Sequence, residues 1–173
     1  MLQGQFTEIR HLAGFDRPLK TTGRFLLVPE GGLIWRVETP FPSVTVITRS
    51  GLLQKTEGGE ATRISAAKLP LLARLHEFLT GALRRDMSVL TQDFEIIREG
   101  DAGEWRLLLT PRPQNDALAK TLRAITLSGG QFLERASVER GNGDTEEIRF
   151  HDESLAKAGL SLEDQSLLNE ARQ

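Results

Sequence analysis

The 173-residue sequence contains no cysteine, which excludes disulfide bonds and thiolate chemistry. It also lacks any run of about eighteen apolar residues, so it predicts no transmembrane helix and no stable membrane insertion. Lysine and arginine number 22 against 24 aspartate and glutamate, and the resulting net charge of −2 offers no electrostatic footprint for a nucleic acid. These absences leave a globular protein of about one domain in length.

Recognisable catalytic and cofactor motifs are missing as well. The three histidines, His11, His76 and His151, are far apart and lack the spacing of metal ligands. No nucleophile elbow, phosphate-binding loop or dinucleotide-binding fingerprint occurs, and the glycine pairs fall in predicted turns. The sequence therefore predicts no catalytic residue, no metal and no cofactor, and it favours a binding protein over an enzyme.

The most distinctive stretch that is present runs from residue 18 to residue 40. Two strand-like runs flank a turn rich in proline and glycine at 29–32, so the pattern predicts a β-hairpin. Because side chains alternate across a strand, each run places its largest apolar residues on one face. These residues are Phe25 and Leu27 in the first run, and Leu33, Trp35 and Val37 in the second.

The remaining alternation predicts two antiparallel meanders, because the connections are too short for parallel crossovers. The first meander comprises strands near 4–12, 43–48, 52–56 and 61–64, together with the hairpin. The second comprises strands near 88–98, 103–111, 122–127, 131–140 and 145–150. Side chains in phase within the second meander are Phe94 and Ile96 in one strand, and Trp105, Leu107 and Leu109 in the next.

Leucine spacing predicts a helix between the two meanders, within 65–83, where Leu72, Leu75 and Leu79 recur at helical intervals. Two interpretations of this helix stay open. It packs as core on one face of the sheet, which is common α+β architecture, or it forms a lid over a pocket in an incomplete barrel. The other predicted helices are one turn near 117–120 and a C-terminal helix over about 161–172, with Ser161 and Asp164 as its capping box.

Several short segments occur in an order that is similar to one known family. In the first half they are Phe6-Thr7-Glu8-Ile9-Arg10, Pro18-Leu19 followed by Gly23, Gly32-Leu33-Ile34-Trp35 and Thr39-Pro40. In the second half they are Phe94-Glu95-Ile96, Trp105-Arg106-Leu107-Leu108-Leu109-Thr110-Pro111 and Ile125-Thr126-Leu127. The ordered set, rather than any single motif, resembles the LolA family of periplasmic carriers of outer-membrane lipoproteins.

The resemblance implies an α+β fold over residues 1–173 as a single domain. Its sheet would be a strongly curved antiparallel half-barrel, unclosed, with helices covering the concave face. The implied function is that of a soluble periplasmic carrier, whose signal peptide is absent from this chain. Such a carrier takes acylated lipoproteins from an inner-membrane ABC transporter, shields their acyl chains and delivers them to an outer-membrane acceptor. Each methylene removed from water contributes about 0.8 kcal/mol, and no cofactor or catalytic residue is required.

The same resemblance implies a hydrophobic cavity for the acyl chains. Leu33 and Trp35 match large apolar residues in the family's Gly-Leu-Ile-Trp-like segment. The family arginine that helps to latch a lid falls on Pro29 in this sequence, so a latch of that kind is not expected. The expected lining residues are Phe6, Phe25, Leu27, Leu33, Trp35, Val37, Phe94, Ile96, Leu107 and Leu109. The expected lid residues are Leu72, Leu75 and Leu79.

Other functions remain open at this point. The same fold can serve as an envelope lipid sensor or as a protein-interaction module that transports nothing. Within the carrier interpretation, the missing latch arginine leaves room for a different lipid cargo, such as an aryl-polyene-type or exporter-linked product. An unrecognised enzyme is the least favoured interpretation.

Overall fold

The computed structural model describes residues 1–65, 88–156 and 159–173. The predicted lid helix, with Leu72, Leu75 and Leu79, lies outside the described residues. The strands are β1 (Leu2–His11), β2 (Leu19–Val28), β3 (Gly32–Thr39), β4 (Ser43–Ile47), β5 (Gly51–Thr56), β6 (Thr62–Ser65), β7 (Phe94–Gly100), β8 (Trp105–Pro111), β9 (Leu122–Gly129), β10 (Leu133–Arg140) and β11 (Thr145–Leu155). In the described ranges the α-helices are α1 (Asp116–Thr121) and α2 (Leu162–Arg172).

The strands belong to one sheet in the order β6-β5-β4-β3-β2-β1-β11-β10-β9-β8-β7. Neighbours are antiparallel from β2 through to β6 and from β7 through to β11, as the short connections require. Among the described residues, β6 and β7 end the order without pairing to each other, so the sheet is not closed. The predicted α+β class and the unclosed antiparallel sheet are confirmed.

Two predicted strand boundaries are wrong. The strand expected over 88–98 begins only at Phe94, because Ser88–Gln92 forms a 3-10 helix. The backbone of Asp93 then turns, donating to the Leu90 carbonyl at 3.2 Å and accepting from the Arg112 amide at 2.7 Å. At the other end of the meander, the strand expected over 145–150 continues to Leu155.

Backbone proximity divides the chain into two compact units. Unit 1 comprises Met1–Gln5, Thr22–Val89 and Asp152–Gln173, and unit 2 comprises Phe6–Thr21 and Leu90–His151. Unit 1 therefore contains β3 to β6 and helix α2, whereas unit 2 contains β7 to β10 and helix α1.

The predicted hairpin of β2 and β3 is confirmed in unit 1. Its register pairs Phe25 with Trp35 and Leu27 with Leu33. The turn closes with a hydrogen bond of 2.9 Å from the Gly31 amide to the Val28 carbonyl. Gly32 follows the turn at φ +136°, where a Cβ atom would overlap the carbonyl oxygen of Ile47. Glycine is required there because both its backbone angle and its surroundings exclude a side chain.

Helix α2 packs on the other face of this hairpin, which we call the Ile34 face. Its N-cap is Ser161, as predicted, and the Ser161 hydroxyl accepts from the Asp164 amide at 3.0 Å. The buried residues of the resulting core are Ile34, Val46 and Leu53 from the strands, and Leu167, Leu168 and Ala171 from α2. The C-terminal helix thus covers the face opposite to the one that carries Phe25 and Trp35.

Ion pairs around this core fix the helix to the strands. Arg36 donates to Asp164 at 2.8 Å and to Glu163 at 3.1 Å near the start of α2. Near its end, Glu170 accepts from Lys55 at 2.5 Å and from Arg63 at 2.9 Å. The hydrogen bond from Lys55 lowers the pKa of Glu170 below its ordinary value. Acidic residues of α2 therefore meet basic residues from three strands of unit 1.

Candidate functional site

The first candidate surface is an apolar face of unit 1 that we call the Trp35 face. Phe25 and Trp35 are cross-strand neighbours whose ring centroids lie 6.3 Å apart at an interplanar angle of 28°. Phe25, Leu27 and Leu33 are buried, whereas Trp35 and Val37 are half-buried. Val37 stands opposite Gly23 in the same register. The structure therefore brings together all five residues that the sequence placed on one face of the hairpin.

Three further residues extend this face across unit 1. Leu33 pairs with Ile47, Ile47 with Leu52, and Leu52 with Ile64, which gives one row over β3 to β6. Directly paired residues in an antiparallel sheet point to the same side, so the row is continuous. Alternation gave no clear signal for these residues, because Ile47 is in phase with Ser43 and Thr45, so the row could be found only from the register.

The second candidate surface is an apolar face of unit 2 that we call the Leu109 face. Leu109 pairs with Ile96 on β7 and with Ile125 on β9, and Leu107 pairs with Leu127. Leu107 and Leu109 are 6% and 1% exposed. The other predicted lining residues of this unit, Phe94 and Phe6, are 4% and 1% exposed, on β7 and β1 respectively. Ile96 is half-buried.

A charged quartet, formed by Glu8, Arg10, Arg140 and Glu146, lies within unit 2. Arg10 donates from Nη2 to Glu8 Oε1 at 2.6 Å, and its Nε lies 3.4 Å from Glu146 Oε2. Arg140 Nη2 lies 3.4 Å from the same Glu146 oxygen. The Glu8 and Glu146 side chains are only 12% and 15% exposed. Sequence reasoning missed this quartet because its members come from three strands with no shared motif.

Burial raises the pKa of Glu8 above its ordinary value of 4.5, and the negative charge of Glu146 raises it further. The positive charge of Arg10 and its hydrogen bond act in the opposite direction. Since the folded state holds the Glu8 proton more tightly than the unfolded chain does, the free energy of unfolding falls as the pH rises from 4.5 through the raised pKa.

Replacement of Glu8 by glutamine removes this titration. We expect the stability of Glu8→Gln relative to the wild type to increase between about pH 4 and about pH 7, because only the wild type then acquires a buried negative charge. Urea denaturation at the two pH values measures the difference. A relative stability that stays constant or decreases over this range would contradict the assignment.

An open depression of about 560 Å³ lies at one end of β2 to β5, away from most of the predicted lining residues. Half of the residues that line it are charged, and Val37 is the one predicted lining residue among them. Arg24, Arg36 and Lys55 each have a carboxylate partner. The exposed area of the wall is nevertheless mostly apolar, so the charged residues alone do not assign a ligand to the depression. Its charged wall residues are Arg24, Arg36, Glu38, Lys55 and Glu57.

Two other kinds of site are absent from residues 1–65, 88–156 and 159–173. No cluster of three or more histidines and carboxylates in this part of the chain is arranged to hold a metal ion. None of the helices described here is both long enough and apolar enough to cross a bilayer.

Fold and site together define an α+β protein built on one open antiparallel sheet, with an apolar face in each of its two units. The model of a family described as "Outer membrane lipoprotein carrier protein LolA-like" matches residues 2–158. The chain therefore belongs to this LolA-like family, which confirms the resemblance seen in the sequence.

Solved structures with this fold are distant in sequence. A chain of the Pseudomonas aeruginosa MucA/MucB complex matches with 13% identity and a TM-score of 0.52, over 95% of this chain but only 54% of that one. A LolA superfamily protein from Nitrosomonas europaea matches with 11% identity and a TM-score of 0.48, over 91% and 87% of the two chains. No curated protein matches this sequence.

Proposed function

We propose that this protein is a periplasmic carrier that shields the acyl chains of a lipoprotein, or of another acylated lipid, and delivers them to the outer membrane. Membership of the LolA-like family supports this function. The observation that carries the proposal is the Trp35 face, because its large apolar side chains lie opposite the face on which α2 packs. An inner-membrane ABC transporter as donor and an outer-membrane acceptor complete the proposed route.

The proposed binding residues are those of the two apolar faces. Hydrocarbon contact with these side chains removes acyl methylenes from water, at about 0.8 kcal/mol for each methylene. Binding and release of this kind need no covalent chemistry, so the proposal assigns no catalytic residue and no cofactor. In unit 1 the proposed residues are Phe25, Leu27, Leu33, Trp35 and Val37. In unit 2 they are Phe6, Phe94, Ile96, Leu107 and Leu109.

We expect Leu33→Glu to lower the affinity for a diacylated lipopeptide at least tenfold, because a carboxylate would then lie among buried apolar side chains. Ile97→Glu is the matched control, since Ile97 is 54% exposed. Fluorescence of Trp35 reports binding in a Trp105→Phe background, and circular dichroism checks that each variant is folded. Equal affinity in wild type and Leu33→Glu would remove the Trp35 face from the site.

Native mass spectrometry of the gently purified wild type tests the broader proposal. Co-purified fatty ligands would support a carrier of acylated molecules. A protein that carries no such ligand, and that binds neither the lipopeptide nor a hydrophobic dye, would contradict it.

A protein-interaction or lipid-sensing module is the second candidate. The observation that favours it is the likeness in fold to a chain of the MucA/MucB complex. Transfer of bound lipopeptide to vesicles of phosphatidylethanolamine and phosphatidylglycerol separates the two functions. A carrier releases its ligand to acceptor vesicles, whereas a sensor retains it.

A further inference from the structure

The charged quartet lies at the end of an apolar row on the Leu109 face. Glu146 stands directly opposite Val138, which pairs with Ile125. Ile125 pairs in turn with Leu109, and Leu109 with Ile96. Because paired residues point to the same side of the sheet, the Glu146 carboxylate shares a face with four apolar side chains. An elongated molecule lying along this row would have its hydrocarbon on β7 to β10 and its polar end at β11.

The hydrogen bonds of Arg10 leave part of its donor capacity unused. Its Nη2 is bound to Glu8, but Nε is buried and makes no hydrogen bond to any residue in the described parts of the chain. The distance of 3.4 Å from Nε to Glu146 satisfies an ion pair without the geometry of a hydrogen bond. The Arg10 side chain as a whole is 44% exposed, so a ligand would meet the exposed part of the guanidinium rather than the buried Nε.

The carboxylates of the quartet can accept a hydrogen bond from a ligand. Glu8 and Glu146 both lie within ion-pair distance of Arg10 and are largely buried, and this burial, followed by the charge of Glu146, raises the pKa of Glu8. A hydrogen-bond donor placed between them would stabilise their negative charge. The quartet therefore suits a group that accepts a hydrogen bond from Arg10 and donates one to a carboxylate. A secondary amide has this pairing, because its carbonyl accepts and its N–H donates.

We propose that Glu8, Arg10, Arg140 and Glu146 form a subsite for the amide group of an N-acylated ligand whose acyl chain lies along the Leu109 face. The subsite rests on the proposed function, since it assumes that the face binds an acyl chain. Arg10 supplies the donor to the amide carbonyl, and Glu8 accepts from the amide N–H. Arg140 and Glu146 hold the guanidinium and the carboxylates in place.

Three probes that share a dodecyl-length chain test the subsite with the 173-residue protein. N-methyldodecanamide both accepts and donates a hydrogen bond, methyl dodecanoate only accepts one, and dodecane does neither. Displacement of a bound hydrophobic dye gives the relative affinities. For the wild type we expect the amide to bind about tenfold more tightly than the ester, because the amide alone forms a hydrogen bond with a charged carboxylate.

The double variant Glu8→Met/Arg10→Met removes both charges, together with the acceptor and the donor of the subsite, without leaving either charge unpaired. We expect it to lose most of the preference for the amide over dodecane while its affinity for dodecane stays within about twofold of the wild type. Arg149→Met is the matched control, because it breaks an ion pair of the same kind with Glu147, on the opposite face of β11. This control should keep the amide preference.

The possible failures are distinguishable. If the wild type binds none of the three probes, the proposed function fails together with the subsite. If it binds all three probes equally, or if the double variant keeps the amide preference, acyl binding stands and the subsite is wrong. If ester and amide bind equally but more tightly than dodecane, the amide assignment is overturned.

Discussion

Truncation of Ile34 to alanine is expected to lower the free energy of unfolding by about 2–5 kcal/mol, the range for large-to-small changes in a packed core. Ile34 is 0% exposed and packs in the core that also contains Leu53 and Leu168. The strand that carries it is hydrogen-bonded on both sides, to β2 and to β4, so the backbone cannot move inwards to fill the cavity. Urea denaturation measures the loss.

The neighbouring substitution Trp35→Ala gives the matched comparison. Trp35 directly follows Ile34 on β3, so its side chain points to the opposite face of the sheet. We expect Trp35→Ala to reduce lipopeptide affinity more than Ile34→Ala does, when both affinities are corrected for the folded fraction. A stability loss well under 1 kcal/mol for Ile34→Ala, or a larger loss of affinity in that variant than in Trp35→Ala, would show that the two faces have been assigned the wrong way round.

The local features of the fold could be predicted from the sequence because each depends on residues close together in the chain. The turn at 29–32 and the alternation of Leu33, Trp35 and Val37 specify the hairpin without information from distant parts of the chain. Ser161 and Asp164, three residues apart, specify the start of α2 in the same way. The LolA-like resemblance then supplied the unclosed antiparallel sheet, which the strand order confirms.

Features that depend on long-range pairing could not be predicted. The sequence pattern predicts that Val44 and Val46 of β4 lie in a strand. Alternation alone does not predict which face of the sheet α2 covers. Nor does any local pattern bring Glu8 on β1 beside Glu146 on β11, since that contact follows from the strand order. The boundary at Phe94 failed for a related reason. At the start of that strand the Asp93 amide donates to the Leu90 carbonyl and the Asp93 carbonyl accepts from the Arg112 amide, and Arg112, just beyond β8, is remote in sequence.

The position of α2 also explains why one hairpin can have two roles. The Ile34 face is buried by the helix and tied by ion pairs from Arg36 and Lys55, so its apolar residues are committed to stability. The Trp35 face is then available to the proposed ligand without loss of the core. This division depends on a close approach between the hairpin and its neighbours, which leaves no room for a Cβ atom at Gly32.

Gly32→Ala is expected to destabilise the protein strongly, for two reasons that add. At φ +136° an alanine is strained, at a cost of about 1–3 kcal/mol. Its methyl group would also overlap the Ile47 carbonyl oxygen and lie 3.3 Å from Leu168 Cδ2, which adds an overpacking cost of about 1–3 kcal/mol. The clash involves the backbone of β4, so a side-chain rotation cannot relieve it. Urea denaturation again measures the effect.

Gly58→Ala separates the two contributions. Gly58 has φ +71°, and a Cβ atom built there meets nothing within 4 Å. Its replacement should therefore cost only the left-handed backbone penalty of about 1–2 kcal/mol. If Gly32→Ala proves no more destabilising than Gly58→Ala, the hairpin is not held against β4 and α2 as closely as described. The Trp35 face and the Ile34 face would then not be independent. A hairpin free to shift on its helix would change the Trp35 face whenever the Ile34 face was altered.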